Sequence, residues 1–114
     1  PYWCSATLDA AFIDLDTLPP RPGLPTSRAA LLDEFDKMVT AARARLVRTT
    51  DPELVAPWTL KKGDQEFFTM PRIAAIRSFV MNHSIHHRGQ LSVYLRLNDV
   101  PIPPIYGPTA DEQF

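Results

Sequence analysis

The chain has few of the residues that would indicate a disulfide framework, a membrane segment or a nucleic-acid-binding surface. It contains a single cysteine, Cys4, among 114 residues, so no internal disulfide can form. No apolar run approaches the roughly 20 residues that a membrane-spanning helix needs. Twelve Lys and Arg are offset by thirteen Asp and Glu, which leaves no strongly basic face for a phosphate backbone. We therefore expect a cytoplasmic protein that binds neither membrane nor nucleic acid.

Histidine is also scarce, but all three histidines, His83, His86 and His87, fall within five consecutive positions. His83 and His87 are four residues apart in a segment with helical periodicity, so their imidazoles lie on one face, about one turn apart. This spacing lets both rings reach a single divalent ion. We predict His83 and His87 as metal ligands and expect His86, about 100° around the helix from His87, to face elsewhere.

The histidine pair falls on an apolar stripe that steps by three or four residues along this helix. The stripe consists of Ile73, Ile76, Val80, Leu91 and Tyr94. We therefore expect His83 and His87 to be buried, where an unpaired polar group would cost about 1 to 3 kcal/mol. A metal, a carboxylate or a hydrogen-bond network would have to satisfy them, and a structural pair without metal is the alternative.

A catalytic zinc-type site normally takes three protein ligands and leaves one position for water. The sequence has no fourth histidine to complete such a set. An oxygen ligand could come from one of several acidic side chains, and no spacing rule selects among them: Asp9, Asp14, Asp16, Glu34 and Asp36.

The first half of the chain predicts two helices separated by a loop. A loose helical pattern runs from Trp3 to Leu15 and ends near Asp16. The proline-rich stretch from Leu18 to Pro25 cannot continue a helix and predicts a loop. A second helix, capped by Thr26 or Ser27, extends to Arg48. Its basic residues form, with two hairpin lysines, a cluster that we interpret as solvated: Arg43, Arg45, Arg48, Lys61 and Lys62.

The second half predicts a hairpin followed by a long helix. Thr50 to Leu54 indicates a short capped turn of helix, and Gly63 suits the turn between strands at 57–60 and 66–69. The long helix runs from about Arg72 to Leu97, and Pro71 stands where a first helical residue is expected. In the extended tail we expect three apolar side chains to pack: Ile102, Ile105 and Tyr106. Three helices lack one neighbour, which a helix preceding Pro1 or another chain would supply.

Several of these segments together resemble one family. The run 79–96, Phe-Val-Met-Asn-His-Ser-Ile-His-His-Arg-Gly-Gln-Leu-Ser-Val-Tyr-Leu-Arg, and the Val-Pro-Ile-Pro at 100–103 are similar to the last helix and tail of the DinB/YfiT-like metalloenzymes. The resemblance extends to Phe-Thr-Met-Pro at 68–71, Pro-Trp-Thr-Leu at 57–60 and Tyr-Gly-Pro at 106–108. It therefore covers nearly the whole chain.

The resemblance implies an all-α fold, an up-down-down-up four-helix bundle with a small β-hairpin insertion. It implies a divalent ion, zinc or nickel, held by three histidines, of which the last two fall on His83 and His87. The first would lie upstream of Pro1. We therefore expect residues 1–114 to form a single helical domain that lacks its first helix, either through an omitted N-terminal portion or in a natural short form.

The resemblance also implies a catalytic role, as a low-molecular-weight thiol S-transferase or a hydrolase acting on a small molecule. Arg88, Gln90 and Tyr94 are the candidate substrate-binding residues, with Arg96 as a second anchor for an anionic group. Solvated arginines and a core-filling Gln90 and Tyr94 are the alternative interpretation. We expect a homodimer. The alternative function is a non-catalytic oligomeric binding or stress-response module with a structural or vestigial histidine pair.

Overall fold

The structure is a computed structural model that describes residues 2–20 and 23–112. The described residues up to Val80 form one compact unit, and those from Met81 onwards form a second. The helices and strands, in chain order, are α1 (Tyr2–Asp9), β1 (Phe12–Asp14), α2 (Arg28–Val47), α3 (Asp51–Val55), β2 (Pro57–Lys62), β3 (Gln65–Pro71), α4 (Arg72–Ala75), a π-helical segment (Ile76–Asn82) and α5 (His83–Leu97).

Helix α2 begins and ends where its capping residues predict. Ser27 has extended backbone angles, and its Oγ accepts a hydrogen bond from the backbone N–H of Ala30 at 3.1 Å. This bond satisfies one of the N–H groups that the first turn leaves without a partner. Arg48 caps the other end, so the predicted helix is confirmed. The loop that precedes it has neither helix nor strand where it is described, and residues 21 and 22 lie outside the described residues.

The short helix α3 is capped by its own first turn, as predicted. The Glu53 carboxylate accepts hydrogen bonds from the backbone N–H of Thr50 at 2.8 Å and from its hydroxyl at 2.9 Å. These two bonds hold the pKa of Glu53 below its ordinary value, and the positive charge of the nearby Arg45 lowers it further. The carboxylate also lies at the amino end of the helix, where negative charge is favoured.

Strands β2 and β3 form the predicted antiparallel hairpin. Trp58 pairs with Met70 and Leu60 with Phe68, and a β-bulge follows between Leu60 and Lys61. Gly63 in the turn has a φ of 56°, a left-handed conformation that costs a side-chain-bearing residue about 1 to 2 kcal/mol. Glycine therefore suits this turn, in agreement with the sequence.

A third strand makes the sheet mixed, and the all-α prediction is wrong. Strand β1 pairs in parallel with β2, with Ile13 opposite Leu60, which gives a sheet of order β1-β2-β3. The sequence predicted that the first helix continues to Leu15, but α1 ends at Asp9. Aromatic and β-branched side chains such as Phe12 and Ile13 favour a strand where a partner strand is present. The described chain is therefore not an all-helical bundle with an inserted hairpin.

Two groups of buried side chains hold the first unit together. One joins α1 to α2 and the π segment through Cys4, Leu8, Ala42 and Ile76. Cys4 is 3% exposed, and burial raises the pKa of its thiol, in agreement with a buried apolar role. The second group lies against the sheet and contains Ile13, Trp58 and Ala75, with the rings of Phe68 and Phe79 stacked 5.2 Å apart.

Arg45 and Arg72 bind the carboxyl end of α1. Arg45 donates to the carbonyl oxygen of Leu8 at 2.8 Å and to the carboxylate of Asp9 at 2.7 Å. Arg72 donates from Nε to the carbonyl oxygen of Thr7 at 3.1 Å. The last carbonyls of a helix have no intrahelical partner, and cations are favoured there. Only 20% of the Arg45 side chain is exposed, so the prediction that it belongs to a solvated cluster is wrong.

Residues 72–97 are helical, as predicted, but not as one regular α-helix. Pro71 is the N-cap and the last residue of β3, not the first helical residue. The π segment Ile76–Asn82 then replaces the expected α-helical turns. Its i→i+5 hydrogen bonds put more residues into each turn than an α-helix has. The 3.6-residue period used to project the apolar stripe is therefore interrupted before His83.

In the second unit, the tail is fixed to the end of α5 by one carboxylate. Asp111 accepts a hydrogen bond from the backbone N–H of Ile102 at 2.9 Å and forms a 2.6 Å ion pair with Arg96. Ile102 is 7% exposed and packs as predicted. Ile105 and Tyr106 are 41% and 101% exposed, so the prediction that they pack is wrong. Across the residues that the structure describes, no helix has the length and apolar character to span a bilayer.

Candidate metal-binding site

The histidine pair lies in the first two turns of α5. The helix begins at His83, and His87 follows one turn later on the same face. Their Nε2 atoms are 2.7 Å apart, and their ring centroids are 4.5 Å apart. The structure therefore brings together the two nitrogens that the sequence predicted as metal ligands.

Gln90 completes a short chain of polar contacts on this face. Its Oε1 lies 2.8 Å from Nδ1 of His87, whose other nitrogen contacts His83. Each contact is within ordinary hydrogen-bond range. The sequence placed Gln90 among the candidate substrate-binding residues, and the three-residue spacing to His87 was the signal that the two could touch.

His86 lies next to the pair. Its ring centroid is 5.2 Å from that of His87 and 6.3 Å from that of His83. Within residues 2–20 and 23–112, however, no three side chains of the His, Cys, Asp and Glu types are arranged so that they could hold one metal ion. The geometry at α5 is therefore that of two converging ligands.

The prediction that the pair is buried is wrong. His83, His86 and His87 are all exposed, and so are stripe residues on either side, with Ile73 at 47% and Leu91 at 56%. The physical reason is that no residue of α5 is buried, so His83 and His87 would not be buried on any face of this helix. Exposed imidazoles can form hydrogen bonds with water and with each other, so the polar nitrogens of His83 and His87 do not need a metal to satisfy them.

Three of the acidic side chains considered as oxygen ligands have cationic or backbone partners. Asp9 binds Arg45, as described above, and Asp16 lies 3.9 Å from Lys62. Asp14 Oδ1 accepts hydrogen bonds from the backbone N–H groups of Gly63 at 3.0 Å and of Asp16 at 3.1 Å. These bonds, in that order, hold the pKa of Asp14 below its ordinary value, and Lys61 adds to the effect. The contacts explain these carboxylates without a metal. The other two, Glu34 and Asp36, are exposed on α2.

The remaining candidate substrate-binding residues also lie on α5. Arg88 is exposed on α5, and Tyr94 is 64% exposed. Arg96, the second predicted anchor, is engaged by Asp111 at 2.6 Å. A hollow of about 180 Å³ lies at this carboxyl end of α5, and its lining contains no histidine: Arg96, Asp99, Val100, Pro101 and Asp111.

The sequence matches a known protein family over most of its length. A family model described as the DinB family matches residues 23–113, which include all of α2, the hairpin and α5. No curated protein and no solved structure matches the chain at a significant level.

Proposed function

Because the chain belongs to the DinB family, we propose that it is a divalent-metal-dependent enzyme in which His83 and His87 provide two of the metal ligands. The observation that carries the proposal is the approach of their Nε2 atoms to 2.7 Å on one exposed helix face. Two imidazoles one turn apart are a recurring ligand pair for zinc in helices.

The donor set fits the proposed ion after a small separation of the rings. Two nitrogens bound at 2.0 to 2.1 Å in a tetrahedral site lie roughly 3.4 Å apart. The distance between the two Nε2 atoms must therefore increase from 2.7 Å by roughly 0.7 Å. Both side chains are exposed, so a small rotation of either ring accomplishes this. Imidazole suits zinc and nickel, the two ions we propose.

The reaction class that we propose is thiol S-transfer or hydrolysis on a small molecule. A bound zinc or nickel ion would lower the pKa of a coordinated thiol or water. His83 and His87 would fix the position of the reacting group, and Arg88, exposed next to His87, would attract an anionic part of the substrate. Arg88 follows His87 directly in the sequence and points about 100° away from it around the helix.

Equilibrium dialysis against Zn²⁺ or Ni²⁺, followed by elemental analysis, tests the proposal. We expect the wild type to bind up to one ion per chain through the two imidazoles, and His87→Ala to lose much of that affinity. His86→Ala is the matched control, since it removes a neighbouring imidazole outside the pair, and it should retain the ion. A wild type that binds neither ion would contradict the proposal.

A second candidate function is a non-catalytic binding or stress-response module. The observation in its favour is the contact between His83 and His87, which satisfies one nitrogen on each ring without a metal. Such a module would work by association. This function predicts that the wild type binds no metal in the dialysis experiment. It also predicts that the metal-free protein folds and self-associates, which circular dichroism and sedimentation would measure.

We also propose that the protein is a cytoplasmic homodimer. Helix α5 exposes apolar side chains beyond the histidines, with Leu91 56%, Tyr94 64% and Leu97 75% exposed. Exposed apolar surface of this kind is typical of a face that pairs with another protein. Sedimentation equilibrium should give twice the chain mass, and Leu91→Lys should shift the equilibrium toward the monomer.

A further inference from the structure

The contact between Gln90 and His87 favours one position for the proton of His87. Oε1 of Gln90 lies 2.8 Å from Nδ1 of His87. An amide oxygen can only accept a hydrogen bond, so Nδ1 must be the donor. A neutral imidazole has one N–H, and Nε2 of His87 therefore carries a lone pair.

The second contact follows from the first. Nε2 of His87 faces Nε2 of His83 at 2.7 Å, so one must donate and the other accept. Since Nε2 of His87 has the lone pair, His83 donates. The three side chains form one directed chain of hydrogen bonds, from His83 through His87 to Gln90.

For His87, this arrangement is the one that a metal ligand requires, whereas His83 would have to move its proton from Nε2 to Nδ1 before its Nε2 could bind the same ion. A coordinating imidazole needs an unprotonated nitrogen toward the ion, and its other nitrogen normally donates to a fixed acceptor. Building on the proposed function, we infer that Gln90 is a positioning residue that holds His87 as the Nδ1–H tautomer and so presents Nε2 to a divalent cation. This role differs from the substrate contact that the sequence predicted for Gln90.

The position of Gln90 on the helix supports the role. Residues three apart on an α-helix are neighbours, so Gln90 reaches His87 without distortion of α5. Gln90 and both histidines are exposed, and little packing holds the rings. The orientation of His87 then depends on its hydrogen bonds more than it would in a packed core.

Two measurements on one set of variants test the inference. Long-range ¹⁵N–¹H correlation spectra of the metal-free protein, at about pH 8 where an ordinary imidazole is neutral, report the tautomer of His87. Competition with a chromophoric chelator gives the zinc affinity. The variants are Gln90→Leu, which removes the acceptor, and Gln90→Glu, which keeps it. Gln65→Leu makes the same change at an exposed glutamine of β3 and is the control.

We expect wild-type His87 to be protonated at Nδ1, and this preference to be lost in Gln90→Leu. Zinc affinity should fall roughly 10- to 100-fold in Gln90→Leu, the range typical of outer-shell substitutions, while Gln90→Glu and Gln65→Leu stay within a few-fold of wild type. An unchanged tautomer and affinity in Gln90→Leu would overturn the inference. If Gln90→Leu does not fold, the comparison of Gln90→Glu with wild type still applies, because a stronger acceptor must increase the Nδ1–H population.

The spectra separate this inference from the proposed function. If the wild type binds neither zinc nor nickel, the metal-dependent function fails, and the tautomer of the metal-free protein alone decides whether Gln90 positions His87. Protonation at Nε2 of His87 in the wild type would overturn the role of Gln90 even if zinc binds.

Discussion

Asp14 of β1 accepts a hydrogen bond from the backbone N–H of Gly63 at 3.0 Å, across 49 positions of the sequence. The same carboxylate accepts from the backbone N–H of Asp16 at 3.1 Å and lies 3.5 Å from the ammonium group of Lys61. One side chain thus joins β1 to the turn of the hairpin, and each of these contacts favours the ionised form of its carboxyl group.

The stability of the fold should therefore depend on the ionisation of Asp14. Hydrogen bonds from Gly63 and Asp16 keep the pKa of Asp14 below that of the unfolded chain, which is about 3.9. Its contribution is complete above that value and is lost as the pH falls through the folded pKa. Urea unfolding of Asp14→Asn should show a lower midpoint than wild type at pH 7, and a difference that narrows at about pH 3. Asp64→Asn, an exposed carboxylate in the same turn, is the control. A difference that is independent of pH would contradict the assignment.

Gly63→Ala should destabilise the protein by about 1 to 2 kcal/mol. Its φ of 56° is unfavourable for any residue with a Cβ, and a Cβ here would lie 3.3 Å from Oδ2 of Asp16. Gly89→Ala is the matched control, because Gly89 is inside α5 and the added Cβ would meet nothing within 4 Å apart from its chain neighbours and the backbone of its own helix. Alanine there should be neutral or stabilising by up to about 1 kcal/mol. Urea denaturation of both variants measures the contrast, and equal effects would contradict it.

The features that the sequence predicted correctly depend on neighbouring residues. Ser27 caps α2 through an N–H three residues away, Glu53 binds Thr50 at the same spacing, and the hairpin turn needs only a glycine at 63. Each is a short-range interaction whose partners are adjacent in any arrangement of the rest of the chain. Such features can be predicted from one sequence.

The features that were predicted wrongly depend on distant partners. Phe12 pairs with Thr59, and Arg45 reaches Asp9 over 36 positions. Nothing near residues 12–14 shows that a strand edge will be available, and the apolar spacing there also fits a helix. Arg45 resembles its exposed neighbour Arg43 in sequence and differs only in what the fold places beside it.

The candidate site was predicted in part for the same reason. The four-residue spacing of His83 and His87 was sufficient to place their rings 4.5 Å apart. Their exposure was not predicted, because the apolar stripe indicates a covered helix face, whereas no residue of α5 is buried. The role of His83 and His87 as metal ligands stays a prediction, as does the role of Arg88 and Tyr94 in substrate binding.

Arg45→Lys should lower the melting temperature, because lysine cannot reproduce the fork of contacts to Leu8, Asp9 and Thr49. The carboxyl end of α1 would keep Arg72 and a positive charge at position 45 but would lose the forked hydrogen bonds of Arg45. Arg43→Lys, on the exposed side of the same helix, is the control and should melt like wild type. Differential scanning calorimetry compares the three proteins, and equal melting temperatures would show that the Arg45 contacts add no net stability.

Ile102→Ala should destabilise the packing of the tail by about 2 to 5 kcal/mol, the usual cost of truncating a buried isoleucine. Ile102 is 7% exposed, and its backbone N–H is bound to Asp111. Hydrogen exchange should then be faster at residues 102–111 than in wild type. Ile105→Ala, at a residue 41% exposed, should leave the exchange pattern unchanged. Faster exchange in both variants would contradict the difference in burial.

Zinc should stabilise the wild type but not a protein in which both His83 and His87 are replaced by leucine. A ligand that binds only the folded state adds about 2.7 kcal/mol at a concentration 100 times its dissociation constant, so the melting temperature should rise with zinc. Without zinc, the double variant should stay within about 0.5 kcal/mol of wild type, because both side chains are exposed. His86→Leu should keep the zinc response, which separates the pair from a general effect of imidazole near the surface. A zinc response in the double variant would place the ion elsewhere, whereas none in the wild type would favour the non-catalytic module, since the pair would then serve only its own hydrogen bond.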